Sequence, residues 1–182
     1  MKIILILVTY LVVTASALAS VVSDRVEQDW RNWSKVGQAQ LTMLFFDIYH
    51  SQLLTPSGRY TLDPDITPHP LALSITYQRD ISQQQLIDAT LEQWQKLGYP
   101  ATQTQHWAEH LARIFPNIKK GHSLTYVTDG VQGQFYFSEQ QASIKLIGVI
   151  EEEQLNDAFL AIWLSPDTEY PSLRERLIGR AQ

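Results

Sequence analysis

Two histidines one helical turn apart, His106 and His110, with Glu109 beside them, have the i, i+4 spacing that can hold a metal ion. In a metalloprotease helix a glutamate follows the first histidine directly, and Trp107 stands there instead. The apolar stripe of the segment runs through Trp107 and Leu111, which leaves both histidines near the polar face; they read as surface residues, and no metal or other cofactor is expected. Asp47 sits between Phe46 and Ile48 in a run of apolar residues. A carboxylate buried there must be paired or neutral, and desolvation would raise its pKa. It is either a functional group or a structural one paired with His50 or an arginine. Glu151, Glu152 and Glu153 read as a solvated acidic helix start. There is no Gly-x-Ser-x-Gly elbow and no glycine-rich phosphate loop.

The 182 residues contain no cysteine, which excludes disulfides, thiolate metal sites and a thiol nucleophile. With 14 basic and 19 acidic residues the net charge is −5, so there is no basic footprint for nucleic acid. The aromatic and apolar content is that of a globular chain. The first residues, MKIILILVTYLVVTASALAS, follow one positive charge at Lys2 with an apolar run from Ile3 to Val13 and a small-x-small site at Ala17-Leu18-Ala19. This predicts a signal peptide over 1–19 and a periplasmic or secreted protein. The alternative is an uncleaved anchor, but the run is short for a span of roughly 20 residues. No later segment approaches spanning length, so no stable membrane span is expected after cleavage.

Residues 20–34, with Trp30 and Trp33, read as an N-terminal arm, and 35–182 as one domain. Leu41, Met43, Phe45 and Tyr49 alternate with Leu44, Phe46 and Ile48, which predicts a strand apolar on both faces. Thr55-Pro56-Ser57-Gly58 is a turn, and Arg59 to Leu62 reads as a short strand. Leu71, Leu73, Ile75 and Tyr77 alternate with smaller or polar residues as a strand with one apolar face. The period then becomes helical. Asp80 and Gln83 resemble a capping box, Ile87, Leu91 and Trp94 form a stripe, and Gly98 closes the helix. A second helix carries Trp107 and Leu111 and stops before Pro116. Strands follow at 124–127, 134–137 and 143–150, spaced for an antiparallel meander. Two more helices end the chain: one carries Leu155, Phe159, Ile162 and Trp163, and the other is capped by Ser172 with Glu175. The tryptophan stripes read as core. The fold class is α+β, with helices segregated on one face of an antiparallel sheet.

This order, with its landmarks, resembles the chalcone isomerase-like family, in particular its secreted bacterial branch. The landmarks are Trp94-x-x-Leu97-Gly98 at the end of Thr76–Gly98, Phe115-Pro116 before Gly121-His122-Ser123-Leu124, and the turn Thr128-Asp129-Gly130-Val131. Val36-Gly37 before Phe45-Phe46-Asp47-Ile48-Tyr49, and Leu164-Ser165-Pro166 with Leu173-Arg174, complete the set. The likeness covers about residues 35–180. It implies an open-faced sandwich, a large antiparallel sheet with helices packed on one face and a cleft between them. In plant chalcone isomerases that cleft holds a flavonoid, with a basic residue, a tyrosine and an ordered water serving the ring closure. In fatty-acid-binding relatives it holds an acyl chain, with an arginine and a tyrosine near the carboxylate.

Aligned on Trp94-x-x-Leu97-Gly98, Ser82 stands where the plant enzymes keep a tyrosine, Ala89 where they keep a substrate-contacting asparagine, and Leu73 near their lysine. The family's arginine precedes the first core strand, where Arg31 and Lys35 do not match it. Its strand threonine falls near Leu44, with Thr42 two residues away, and Thr168 stands for a threonine beside the cleft. Most of the plant catalytic set is thus missing, and losing one oxyanion donor alone costs about 10²–10³ in rate. Tyr77 and Arg79, predicted to share a face with Ile75, are the possible substitutes. The ligand-cleft candidates are therefore Thr42, Asp47, Tyr77, Arg79, Ser82 and Thr168. The leading expectation is a non-catalytic binder of a small apolar or amphipathic, fatty-acid-like ligand, without cofactor. The alternatives are an intramolecular lyase or isomerase acting on a chalcone-like or other phenolic substrate, and a structural domain whose cleft is filled.

Overall fold

Alternation along Leu71–Tyr77 sends Leu71, Leu73, Ile75 and Tyr77 to one side, and all four are buried. This strand is the third of six in a computed structural model that describes residues 30–43, 46–139 and 143–180. The expected signal peptide and residues 20–29 of the arm lie outside the described residues. The strands are β1 (Ser34–Met43), β2 (Phe46–Thr55), β3 (Leu71–Tyr77), β4 (Ser123–Thr128), β5 (Gly133–Glu139) and β6 (Ser143–Ile150). They lie in one sheet in the order β1-β2-β3-β4-β5-β6, and each pair is antiparallel.

The helices α1 (Gln83–Lys96) and α2 (Ala101–Ala112) connect β3 to β4, and α3 (Glu153–Leu164) and α4 (Pro171–Leu177) follow β6. All four lie on one side, as the α+β reading requires. The registers align Leu53, Leu73, Tyr126 and Phe135 in one row beneath them. These residues, with Trp94, Trp107, Leu111, Phe159 and Leu160, form the main core. Trp94 and Trp107 meet edge to face, with ring centroids 5.4 Å apart. Each buried indole removes roughly 150–250 Å² from water, so this pair is a large share of the helix-layer stabilisation. Their polar edges are satisfied by α3 and the residue before it: Trp94 Nε1 donates to the Ala158 carbonyl at 2.8 Å, and Trp107 Nε1 to Glu152 at 2.9 Å.

At the β1 edge the backbone itself is in contact. A Cβ built on Gly37 would lie 2.0 Å from the Arg176 carbonyl oxygen and 2.4 Å from that of Leu177, so α4 reaches β1 only because residue 37 has no side chain. On the opposite side of the sheet, Ser74 and Thr125 share a hydrogen bond of 2.9 Å, as do Thr76 and Ser123. A short 3₁₀ turn, Trp30–Asn32, covers part of this side by packing Trp30 against Tyr136, Ala72 and Val127.

Several local expectations are corrected. The doubly apolar strand through 41–49 is the end of β1 and the start of β2, paired as Thr42 with Asp47 and Met43 with Phe46. Met43 and Phe46 are exposed there, 51% and 63%, so this end of the β1–β2 pair is not buried on both faces. Arg59 to Leu62 is not a strand; the Arg59 amide is held by the Thr55 hydroxyl at 3.0 Å. The cap of α1 is Ser82 with Gln85, a reciprocal capping box. Asp80 instead accepts from Lys119 Nζ and the Lys120 amide, each at 2.9 Å. α4 has no side-chain cap, and its N-cap position is Tyr170. Among the described residues no helix is long and apolar enough to cross a membrane.

Candidate functional site

A cavity of about 300 Å³ opens between the sheet and the helix layer, at the end of the sheet where β2 and β3 place tyrosines opposite each other. Its floor is Leu41 and Met43 of β1, Ile48 and Tyr49 of β2, Ile75 and Tyr77 of β3, and Leu124 of β4. Its roof is Leu86, Ala89, Thr90 and Gln93 of α1, with Phe159, Ile162 and Trp163 of α3. Such a volume is at the lower end of the range for small-molecule sites, and the aliphatic and aromatic lining fits an apolar guest.

Two phenols stand in the lining. Tyr49 and Tyr77 pack edge to face with centroids 6.1 Å apart, and both are buried. Trp163 Nε1 donates to the Tyr49 hydroxyl at 2.9 Å. No hydrogen-bond partner of the Tyr77 hydroxyl lies among the described residues. Burial holds both phenols well above the ordinary tyrosine range, an effect the Trp163 bond to Tyr49 offsets only in part. They are therefore neutral donors, not phenolate bases.

The mouth is charged, and one ammonium there is shared by two carboxylates. Lys96 lies 2.7 Å from both Glu92 and Glu169, and Gln93 Nε2 donates to the other Glu169 oxygen at 2.8 Å. The hydrogen bonds from Gln93 and then Lys96 hold the Glu169 carboxyl below its usual range. Those to Glu169 and then Glu92 hold the Lys96 ammonium above its own. Tyr170 closes this side.

Of the six candidates only Tyr77 lines the cavity. Arg79 lies beyond the end of β3 and is exposed, its guanidinium 6.0 Å from the Phe46 ring centroid; strand alternation stops at Tyr77, so the two do not share a face as predicted. Asp47 is exposed, not buried, and accepts from the Thr42 hydroxyl at 2.8 Å, so this pair stitches the hairpin end together. Ser82 is occupied as the α1 cap. The Thr168 hydroxyl donates to the Ile162 carbonyl at 2.6 Å. Ala89 does line the cavity, at the position the resemblance assigned to a substrate contact. Trp94 and Trp107 are core, but Trp163 is both core and cavity wall.

The histidine pair lies elsewhere. His106 and His110 line a separate hollow with Glu151 and Glu152, and His110 Nε2 is 3.1 Å from the Val149 carbonyl oxygen. Among the described residues no group of three or more His, Asp or Glu is placed to hold a metal ion.

Sequence reasoning missed Tyr49, Trp163, Gln93, Lys96 and Glu169. The residue types gave no warning: Tyr49 enters the site because register sets it opposite Tyr77, and Trp163 because its stripe faces that pair.

The family profile described as chalcone isomerase-like matches residues 36–179. A Haemophilus influenzae protein, described as an uncharacterized protein, is 24% identical over 154 residues, which covers 83% of this chain and 70% of that protein.

Proposed function

Because the chain belongs to the chalcone isomerase-like family, we propose that it uses the family's sheet–helix cleft to bind a small apolar or amphipathic ligand, fatty-acid-like in its greasy portion, and does so without a cofactor. The observation that carries this reading is the cavity of about 300 Å³ walled by Ile48, Ile75, Leu86, Leu124 and Ile162. A cleft filled by its own side chains would leave no such volume. The scattering of the candidate groups favours binding over turnover: Arg79 is outside, and the Ser82 and Thr168 hydroxyls already have partners.

Native mass spectrometry of the purified protein, followed by solvent extraction, tests the proposal together with titration by medium-chain amphiphiles read through tryptophan fluorescence, to which Trp163 in the cavity wall contributes. A co-purifying small molecule or a saturable change supports it. Empty protein that no amphiphile titrates ends it.

One observation favours an intramolecular lyase or isomerase as a second reading: Tyr77 presents a hydroxyl in the cavity wall without a partner among the described residues. Ring closure of a chalcone, abolished in Tyr77→Phe, would establish that reading. We further propose that the protein acts outside the cytoplasm, on the strength of the Lys2, Ile3–Val13 and Ala17-Leu18-Ala19 pattern. Mass measurement of the protein from its native host tests this, with loss of residues 1–19 as the expected result.

A further inference from the structure

We infer that the cavity selects a ligand whose polar end is neutral, such as an alcohol, ester or carbonyl oxygen, and discriminates against an ionised carboxylate. This deepens the binding reading above and rests on it. Among the described residues lining the cavity, Lys96 is the one cation, and both Glu92 and Glu169 already hold it at 2.7 Å. Two carboxylates against one ammonium leave the lining with a net negative charge. An incoming carboxylate would meet no free counter-ion and would have to compete with two tethered ones for Lys96. Moving an ionised carboxylate from water into the apolar interior is strongly unfavourable unless it is paired, and at the exposed mouth it meets two carboxylates against one ammonium.

The interior offers the opposite chemistry. The Tyr49 oxygen accepts from Trp163 Nε1, so its own proton is free to be donated inward, and the Tyr77 hydroxyl is available too. Two neutral phenols in the lining, their rings 6.1 Å apart among aliphatic walls, suit an uncharged oxygen acceptor at the end of an apolar chain.

The test compares decanol with decanoate at neutral pH, measured by calorimetry on the wild-type protein and on the double variant Glu92→Gln/Glu169→Gln. Both glutamates are well exposed, with side chains 62% and 37% accessible, so the variant retains the fold, which a thermal melt verifies. The wild type is expected to bind decanol at least about tenfold more tightly than decanoate. Freeing Lys96 is expected to raise decanoate affinity by roughly tenfold and so to narrow the preference for decanol. Decanoate binding the wild type as tightly as decanol overturns the inference and leaves the binding reading intact. A double variant that gains nothing for decanoate also overturns it, because Lys96 would then not be the group withheld. If neither ligand binds, the cleft reading falls, and this inference falls with it.

Discussion

Trp163 on α3 donates its indole N–H to the hydroxyl of Tyr49 on β2 across 2.9 Å, so one hydrogen bond ties the helix layer to the sheet at the cavity wall. Both residues are more than nine-tenths buried. Tyr49→Phe strands the indole donor and is expected to destabilise the fold by about 1–3 kcal/mol. Trp163→Phe leaves a hydroxyl that can turn toward the cavity, but it also removes buried ring surface. A double-mutant cycle by urea denaturation should return a coupling of about 0.5–1.5 kcal/mol between the two. A coupling near zero would mean the bond contributes nothing to holding the roof down.

Ala89 lies on the cavity rim and is exposed. Ala89→Trp should occlude the opening without touching the core. Ligand affinity is expected to fall at least about tenfold, as for loss of a fitted contact, while the melting temperature stays within a few degrees. Unchanged affinity by calorimetry would show that the guest does not use this opening.

The contact of α4 with β1 depends on a missing methyl. Gly37→Ala forces a Cβ into the carbonyls of Arg176 and Leu177. The expected cost is about 1–3 kcal/mol, with a lower midpoint in denaturant and an unchanged slope. Backbone carbonyls cannot swing aside as a flexible side chain would. A variant as stable as the wild type would show that α4 is loosely seated.

Alkaline pH acts through the buried phenols. The folded chain holds protons on Tyr49, Tyr77 and Tyr126 that the unfolded chain releases near pH 10, because burial penalises the phenolates. Tyr60 behaves likewise, pushed up to about 12, chiefly by burial. The folded state binds more protons than the unfolded one, so stability is intact below pH 10 and falls as pH rises through 10 to 12. Tyrosinate absorbance should therefore rise together with loss of folded signal. These phenols ionising while the fold is intact would contradict the burial argument.

The elements were largely legible and the site largely was not, for different reasons. Leu71–Tyr77 alternates with a period of two, and Ile87, Leu91 and Trp94 recur with a helical one, so each declares its conformation locally. The break between β1 and β2 declares nothing: the run from Leu41 to Ile48 holds no Gly, Pro or Asn, and two strand ends look like one strand. That misreading made Asp47 look buried. At the start of α1, Asp80 and Ser82 are both good caps, and the choice falls to Ser82 because Asp80 is engaged by Lys119 and Lys120. The site depends on pairs from distant parts of the chain, Tyr49 with Tyr77 and Trp163, and Lys96 with Glu169. Local periodicity is blind to such pairs, since each is created only by register and helix packing.

Spatial order in the sheet is identical to order along the chain. Every ladder therefore joins segments that are consecutive among the strands, and the widest excursion is the helical pair between Tyr77 and Ser123. Loop-closure entropy grows as the logarithm of length, about 0.6 kcal/mol per doubling, so that step costs roughly 2–3 kcal/mol more than the short connection from β1 to β2. Each strand thus finds its partner in its neighbour along the chain, whereas the cleft is completed only by α3, from the far end of the chain, which lays Trp163 on Tyr49.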